Sequence, residues 1–383
     1  MADLRAAVIG VGFIGTVHAE AVRRVGARLV GVHGSSPASS ERGAQRIGTT
    51  PLRTFEEVLE SEADIVHITT PNVRHAEQSI ALLRAGKHVI CEKPLATDLA
   101  AAQQMTVAAR ESGLVHATCF NFRFYPLIQE ARSRVVRGDL GPVHLITGHY
   151  LQDWLLKATD WNWRLDADVG GLTRSVADIG SHWLDAVQFV ADMPITRVMA
   201  DLQTVHETRW RPEHEVETFT ATEGELHEIE IRTDDAANLL LRFSRGAHGA
   251  LSVSQVSAGR KNAMSFELAG ADSALAWDST SPDELWLGRR GEPNQNYYRD
   301  PSSMDPAAAR VSFYPAGHVE GFGETFRGLT QQVYADVLTG GPQHDERGRA
   351  SYPTFVDGLR AVALDDAIRR SASTGSWIDV EGH

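Results

Sequence analysis

The stretch AAVIGVGFIGTVHAEAVRRV, residues 6–25, constrains the fold of this chain more than any other of its length. Ala6 to Ile9 read as a short buried strand, followed by a glycine turn and then apolar residues at helical spacing. Gly10, Gly12 and Gly15 form G-x-G-x-x-G in the strand–turn–helix setting where that motif binds a dinucleotide. Gly10 permits the turn, Gly12 lets backbone approach a pyrophosphate, and Gly15 lets the helix pack close on the strand. Phe13 and Ile14 open the helix, whose N-terminus presents amide donors and partial positive charge to phosphates.

The alternation continues through the first third. RLVGVHGSS, ADIVHITTP and HVICEKP read as further strands, with ASSERGAQRIG, TFEEVLESE and VRHAEQSIALLRAGK as the helices between them. Such a pattern predicts right-handed crossovers and a parallel sheet. Ligands on these sheets bind at the carboxyl ends of strands. Three segments end there: the glycine turn, Thr69–Asn72 and Glu92–Pro94. Lys93 is therefore expected on the rim of a nicotinamide site, although the residues alone also fit a solvent lysine at a strand end. At the end of the second strand, an acid would bond the adenine ribose 2′-hydroxyl and favour NAD. Gly34 stands there, followed by Ser35 and Ser36, so NADP is admitted beside NAD.

A chain of 383 residues is expected to divide into two domains. Its net charge of −13 disfavours nucleic acid or an anionic membrane as partner. No apolar run approaches the roughly 18 residues a membrane helix needs. Two cysteines, Cys91 and Cys119, lie in apolar strand-like stretches and read as buried thiols. The first residues enter a strand without a basic segment, apolar run and cleavage site, so a cytoplasmic protein is expected.

Beyond HATCFNFRFYP the pattern changes. A helix over 127–138 leads to PVHLITGHYLQDWL, which begins as a strand and turns polar and aromatic. From about residue 176, Val176, Ile179, Trp183, Val187 and Val190 keep near-helical spacing. NLLLRFSRGAHGALSVSQVS reads as a hairpin turning at Arg245-Gly246, and MSFELAGADSALAWDS as another. A largely antiparallel sheet packed on the helix follows, and two more helices close the chain. Asp178 and His182, four apart, share a helix face. An acid beside an imidazole suits proton transfer, and equally suits a helix-start acid next to a satisfied core histidine. A metal held by His182 and Asp185 would need a third ligand that the sequence does not indicate, so none is expected.

Taken together, the glycine fingerprint, TTPN followed by His75, AGKHVICEKPLA, NFRFYP and GGLTRSVADIGSHWLD resemble the Gfo/Idh/MocA oxidoreductases. The resemblance covers nearly the whole chain. It implies an α/β protein with an N-terminal Rossmann domain, 1–122, and a C-terminal α/β domain, 123–383, with an open, mostly antiparallel sheet that often forms oligomer contacts. A dimer or tetramer is expected. The family's catalytic lysine, aspartate and histidine fall on Lys93, Asp178 and His182. Cofactor contacts are expected from Gly10, Gly12, Phe13, Ile14 and Gly15, from Ser35 and Ser36, and from Thr70, Pro71, Asn72 and His75. Glu92, Lys93 and Asn121 complete that set.

The implied reaction removes a hydride to NAD or NADP and a proton from a secondary hydroxyl. His182, oriented by Asp178, takes the proton while Lys93 bonds the same oxygen. For the substrate, Lys93, Asp178, His182, Tyr125, Gln152, Trp154 and Arg164 are the expected contacts, with Asp153, Trp161 and Trp163 nearby in the sequence and His318, in PAGHVEGF before the late helix, as a further pocket candidate. Polar groups interleaved with aromatics suit a sugar, glycoside or inositol. Two alternatives share the fold: an NAD-dependent glycosidase working by transient oxidation, and a non-catalytic dinucleotide-sensing regulator.

Overall fold

In the computed structural model, residues 1, 3–213, 225–341 and 350–381 are described. Five apolar runs of the first third pair as parallel strands: β1 (Arg5–Ile9), β2 (Arg28–His33), β3 (Ile65–Ile68), β4 (His88–Cys91) and β5 (His116–Thr118). Their order is β2-β1-β3-β4-β5. The chain leaves β1 to one side for β2, then crosses to the other for β3, so the carboxyl ends of β1 and β3 flank a switch point. Three of the helices between the strands start on capping side chains. Ser36 accepts from the Ser39 amide, Thr54 from Glu57 and Asp98 from Ala101.

Two compact units emerge, Met1–Asn121 with Gly323–Val362, and Phe122–Phe322 with Ala363–His383. The segment Gly323–Val362 departs from the expected second domain of 123–383. Its return has a physical cause: β5 ends the sheet, and its Thr118 amide donates to Pro353 O at 2.9 Å. Phe355 and Val362 then join Val66, Ile68 and Cys91 in one core.

The second unit is built on a nine-stranded sheet. Its strands are β6 (Val143–Leu151), β7 (Ile195–Gln203), β10 (Ala236–Phe243), β11 (His248–Ser254), β12 (Ala263–Gly270), β13 (Ala274–Asp278), β14 (Glu284–Gly288), β15 (Gln295–Tyr298) and β16 (Ile378–Asp379). A separate ribbon pairs β8 (Thr208–Pro212) with β9 (Leu226–Glu230). The order is β15-β14-β13-β12-β6-β11-β10-β7-β16; β6 and β11 run parallel and the other ladders antiparallel. Both expected hairpins form, β10–β11 turning through Arg245 (φ 64°) and Gly246 (φ 86°).

Strict alternation gives this sheet one buried face. Leu239, Leu241 and Phe243 of β10, Leu251 and Val253 of β11, and Ile146 of β6 pack with Trp183, Val187 and Val190 of the helix Ser181–Ala191. Gly148 makes the seat for Trp183. A Cβ there would stand 2.1 Å from Ser265 O and 2.5 Å from the indole nitrogen, which donates to that same Ser265 carbonyl at 2.8 Å. Gly148→Ala is expected to lower stability by about 1–3 kcal/mol through overpacking. Urea unfolding followed by tryptophan fluorescence measures it; an unshifted midpoint would mean that Trp183 does not sit tightly on the sheet.

Candidate active site

The first unit carries a cradle. Gly10, at φ +100°, lies so close to β3 that a Cβ would be 2.4 Å from Thr69 Oγ1, and a Cβ on Gly15 would be 2.0 Å from Gly10 O. Gly12 is the opposite case: a Cβ would meet nothing within 4 Å. Gly12 is also the N-cap of the helix Phe13–Arg24, which no side chain caps. Backbone amides at a helix start beside an open flank fit a dinucleotide pyrophosphate. Phe13 is half exposed at that entrance.

At the end of β2, Gly34 has no room for a side chain. A Cβ would be 2.6 Å from Ser39 Oγ and 2.8 Å from the Ser40 amide, while the Gly34 amide donates to Ser40 Oγ at 2.9 Å. The acid that would select NAD is thus excluded at this position by backbone packing. Ser35 and Ser36 are exposed, and Ser36 Oγ is engaged as the cap for Ser39.

The remaining expected cofactor contacts separate into rim and support. Thr69 Oγ1 donates to Ile9 O at 2.8 Å, tying the 69–72 loop to the glycine turn. Thr70 Oγ1 donates to Gln78 Oε1 at 2.7 Å, and Pro71 leads into the short turn Asn72–Arg74, with Asn72 buried. His75 is fully buried, its ring nitrogens 2.9 Å from Thr70 O and 2.8 Å from Pro94 O. Burial lowers its pKa against the pull of those carbonyls. It staples the 69–72 loop to the Glu92–Pro94 turn. Asn121 is likewise buried, donating to Thr325 Oγ1 at 2.8 Å. Lys93 follows β4 at the strand end, and its amide donates to Glu92 Oε2 at 3.1 Å.

In the second unit, Asp178 and His182 occupy a helix whose first turn is unusual. Val176–Gly180 is a π-helical turn that runs into the α-helix Ser181–Ala191. Such wide turns recur at functional sites. Asp234 holds its start from another strand connection, accepting from the Arg174 amide at 2.6 Å, the Val176 amide at 3.0 Å and the Ser175 hydroxyl. The Asp178 carboxylate is itself oriented. Arg164 Nε lies 3.1 Å from Oδ1, and Gln255 Nε2 donates to Oδ2 at 2.8 Å. Gln255 in turn accepts from Arg174 at 3.1 Å. His182 is 8% exposed and packs its ring 4.9 Å from Phe122 and 6.5 Å from Tyr150.

Of the expected substrate contacts, Arg164 joins Asp178 directly and stacks 4.4 Å over Trp163. Gln152 and Trp154 join a second set: Trp154 Nε1 donates to Gln152 Oε1, while Gln152 and the Tyr150 hydroxyl both donate to Asn262 Oδ1, at 2.7–2.8 Å. Burial pushes the Tyr150 phenol well up, so it remains a donor. Tyr125 is 4% exposed, with its ring 5.0 Å from Trp277 and 5.4 Å from Phe122. Asp153 pairs with Lys261 at 2.8 Å, Trp161 lies under Arg211 at 5.4 Å, and His318 sits in an exposed loop whose carbonyl accepts from Arg299. Asp185 is held bidentately by Arg123 at 2.8 and 2.5 Å, which occupies the carboxylate that a metal with His182 would need. Tyr150, Asn262, Gln255 and Arg123 escaped the sequence reading; only Arg123, within NFRFYP, lay in a motif singled out there.

The first part of the chain, residues 4–120, matches the model of an oxidoreductase family with an NAD-binding Rossmann fold, and residues 128–276 match the GFO/IDH/MocA C-terminal domain. Levoglucosan dehydrogenase from Pseudarthrobacter phenanthrenivorans is 29% identical, with 99% of each chain covered. A solved oxidoreductase domain protein from Kribbella flavida is 29% identical over 100% of both chains, at a TM-score of 0.87. A levoglucosan dehydrogenase solved with NADH and levoglucosan is 25% identical, covering 99% of this chain and 100% of the other, also at 0.87. With an NAD-binding Rossmann sheet and the matching C-terminal domain both in place, this chain belongs to the GFO/IDH/MocA oxidoreductase family.

Proposed function

We propose that the protein is an NAD(P)-dependent dehydrogenase that moves a hydride between the cofactor and a secondary hydroxyl of a neutral sugar, glycoside or polyol. The observation that carries this reading is the open flank of Gly12 at an uncapped helix start, in a chain similar over its whole length to a sugar dehydrogenase. When bound, the nicotinamide supplies the hydride acceptor. Gly10, Gly12 and Gly15 seat the pyrophosphate on backbone amides. His182 takes the hydroxyl proton as the chemistry requires. Asp178, fixed by Arg164 and Gln255, orients that histidine. Lys93 donates to the reacting oxygen and stabilises the anion that develops on it.

The two cysteines, both buried and free, support a cytoplasmic location. Among the described residues no helix is long and apolar enough to cross a membrane. The outer face of the nine-stranded sheet supports self-association. Leu145 of β6 is 43% exposed and Leu240 of β10 is 52% exposed, and an open hollow of about 420 Å³ lies along β6, β12, β13 and β14.

Screening sugars, glycosides and inositols with both cofactors, read at the NADH absorbance, tests the activity. Stoichiometric reduced cofactor is expected. Sugar release without net reduction would point to a glycosidase instead, and silence with every polyol to a regulator. Lys93→Ala is expected to lower kcat by about a hundredfold or more while NADH still binds. Unchanged turnover in that variant would remove Lys93 from the chemistry. NADP is expected to bind within about a hundredfold of NAD, because no acid opposes its 2′-phosphate; a preference for NAD beyond about 3 kcal/mol would contradict this. In light scattering the protein is expected as a dimer or tetramer, and Leu240→Glu should shift it towards smaller species. A monomeric parent protein would remove the sheet face as an interface.

A further inference from the structure

Four polar side chains meet in the interior of the first unit, where dinucleotide binding does not call for them. Tyr334, on the helix Phe322–Leu338, and His67, on β3, are fully buried; His18, on the helix Phe13–Arg24, is 1% exposed and Glu92, after β4, is 9% exposed. They stand in line. Tyr334 Oη is 2.8 Å from His67 Nε2, His67 Nδ1 is 2.8 Å from His18 Nδ1, and His18 Nε2 is 3.0 Å from Glu92 Oε1. The other Glu92 oxygen accepts the Lys93 amide.

One placement of hydrogens along this line lets the Tyr334 hydroxyl donate and keeps both imidazoles neutral. Among the described residues, the hydrogen-bond partner of the Tyr334 hydroxyl is His67 Nε2, and burial holds the phenol well above its ordinary pKa. The hydroxyl is therefore the donor and Nε2 is bare. Burial pushes His67 well below the usual imidazole range, so its ring is neutral and its single N–H is on Nδ1. That hydrogen points at His18 Nδ1, which must accept. The His18 hydrogen is then on Nε2, directed at Glu92. Burial alone would raise the Glu92 carboxyl, but the His18 hydrogen bond, helped by the Lys93 ammonium and the Cys119 thiol, holds it below the ordinary carboxylate range.

We propose that Tyr334, His67 and His18 form a one-way donor chain that locks Glu92 as a buried anion, and that Glu92 is the positioning residue for Lys93. This rests on the catalytic role proposed for Lys93. With one oxygen receiving the chain and the other receiving the Lys93 amide, the carboxylate cannot rotate without breaking a buried hydrogen bond. The peptide that carries the ammonium is thereby fixed to the sheet interior. A metal would compete for the same atoms: His18 Nε2, a Glu92 oxygen and Cys119 Sγ lie within 4.8 Å of one another. Burial keeps Cys119 a thiol, and the His18 hydrogen already occupies the approach to Glu92.

Nitrogen-15 NMR of histidine-labelled wild-type protein, without cofactor at pH 7, reads the chain directly. His18 is expected as the neutral Nε2–H tautomer and His67 as the neutral Nδ1–H tautomer. An imidazolium at either position, the opposite tautomers, or stoichiometric metal in elemental analysis would overturn the chain. Glu92→Gln keeps an oxygen for the His18 N–H, removes the charge and sets an amide NH2 against the Lys93 N–H. Its kcat is expected to fall about tenfold to a hundredfold, the scale of a misplaced catalytic group. The KM for the sugar that reduces NAD fastest in the screen, and the Kd for NADH by fluorescence titration, should stay within about threefold. Full kcat in Glu92→Gln with an inactive Lys93→Ala overturns the positioning role and leaves the proposed reaction standing; full activity in Lys93→Ala overturns the reaction assignment itself. Loss of NADH binding in Glu92→Gln would make Glu92 a cofactor contact and overturn the inference.

Discussion

The contact between Gly15 and the carbonyl of Gly10 governs the first unit. At 2.0 Å from that oxygen there is no place for a Cβ, so the helix Phe13–Arg24 can press directly on the turn that precedes it. Two consequences follow from one approach. The helix start is brought to the carboxyl ends of β1 and β3 with the flank of Gly12 open, where a ligand's phosphates find amides. One turn further, the same helix sends His18 inward to meet His67 and Glu92. Cofactor cradle and lysine support are thus set by the same backbone packing, and a side chain at position 15 would disturb both.

The second unit solves a different problem, that of holding a carboxylate still inside a partly dry environment. Asp178 sits on a π-helical turn, whose hydrogen bonds leave the start of the helix to outside partners. Asp234 supplies them, and Gln255 links Asp178 to Arg174, which with Arg209 pairs to Asp235 in full burial. Such a network is no gain in stability over an apolar core, and removing one member leaves a buried charge uncompensated. Its justification is position: three strand connections and one helix agree on where Asp178 stands.

The parts of this architecture written in local chemistry were readable from the sequence. The glycine turn, the alternating elements and the hairpin at Arg245-Gly246 each have a short-range cause. β7 did not, because a bulge breaks its period: Arg242 of β10 faces Arg197 while Phe243 faces Ile195, leaving Thr196 over. Buried Ile195 and Val198 are then three apart and no longer read as a strand. The site shows the same division. Lys93, Asp178 and His182 stand in recognisable motifs, whereas the buried hydrogen bonds of His75 to Thr70 and Pro94, and of Asn121 to Thr325, join segments that periodicity does not connect. The packing of Tyr125 is equally hidden, since an aromatic beside a motif reads alike whether it faces a pocket or a core.

The neutral substrate proposed above agrees with which arginines are already engaged. Arg164, closest in sequence to the aromatic stretch, is committed to Asp178 and Asn162, and Arg123 to both oxygens of Asp185. Arg174 and Arg209 are committed to Asp235 in a fully buried cluster. A phosphate drawn to one of these guanidiniums would pull it from its carboxylate, leaving that acid exposed to the phosphate's own charge. A neutral sugar asks for no such exchange. Its hydroxyls can share the donors and acceptors of Gln152, Asn262 and Trp154, groups already aligned by hydrogen bonds to one another. On an acidic chain whose arginines serve as internal braces, the uncharged polyol proposed as substrate leaves those braces in place.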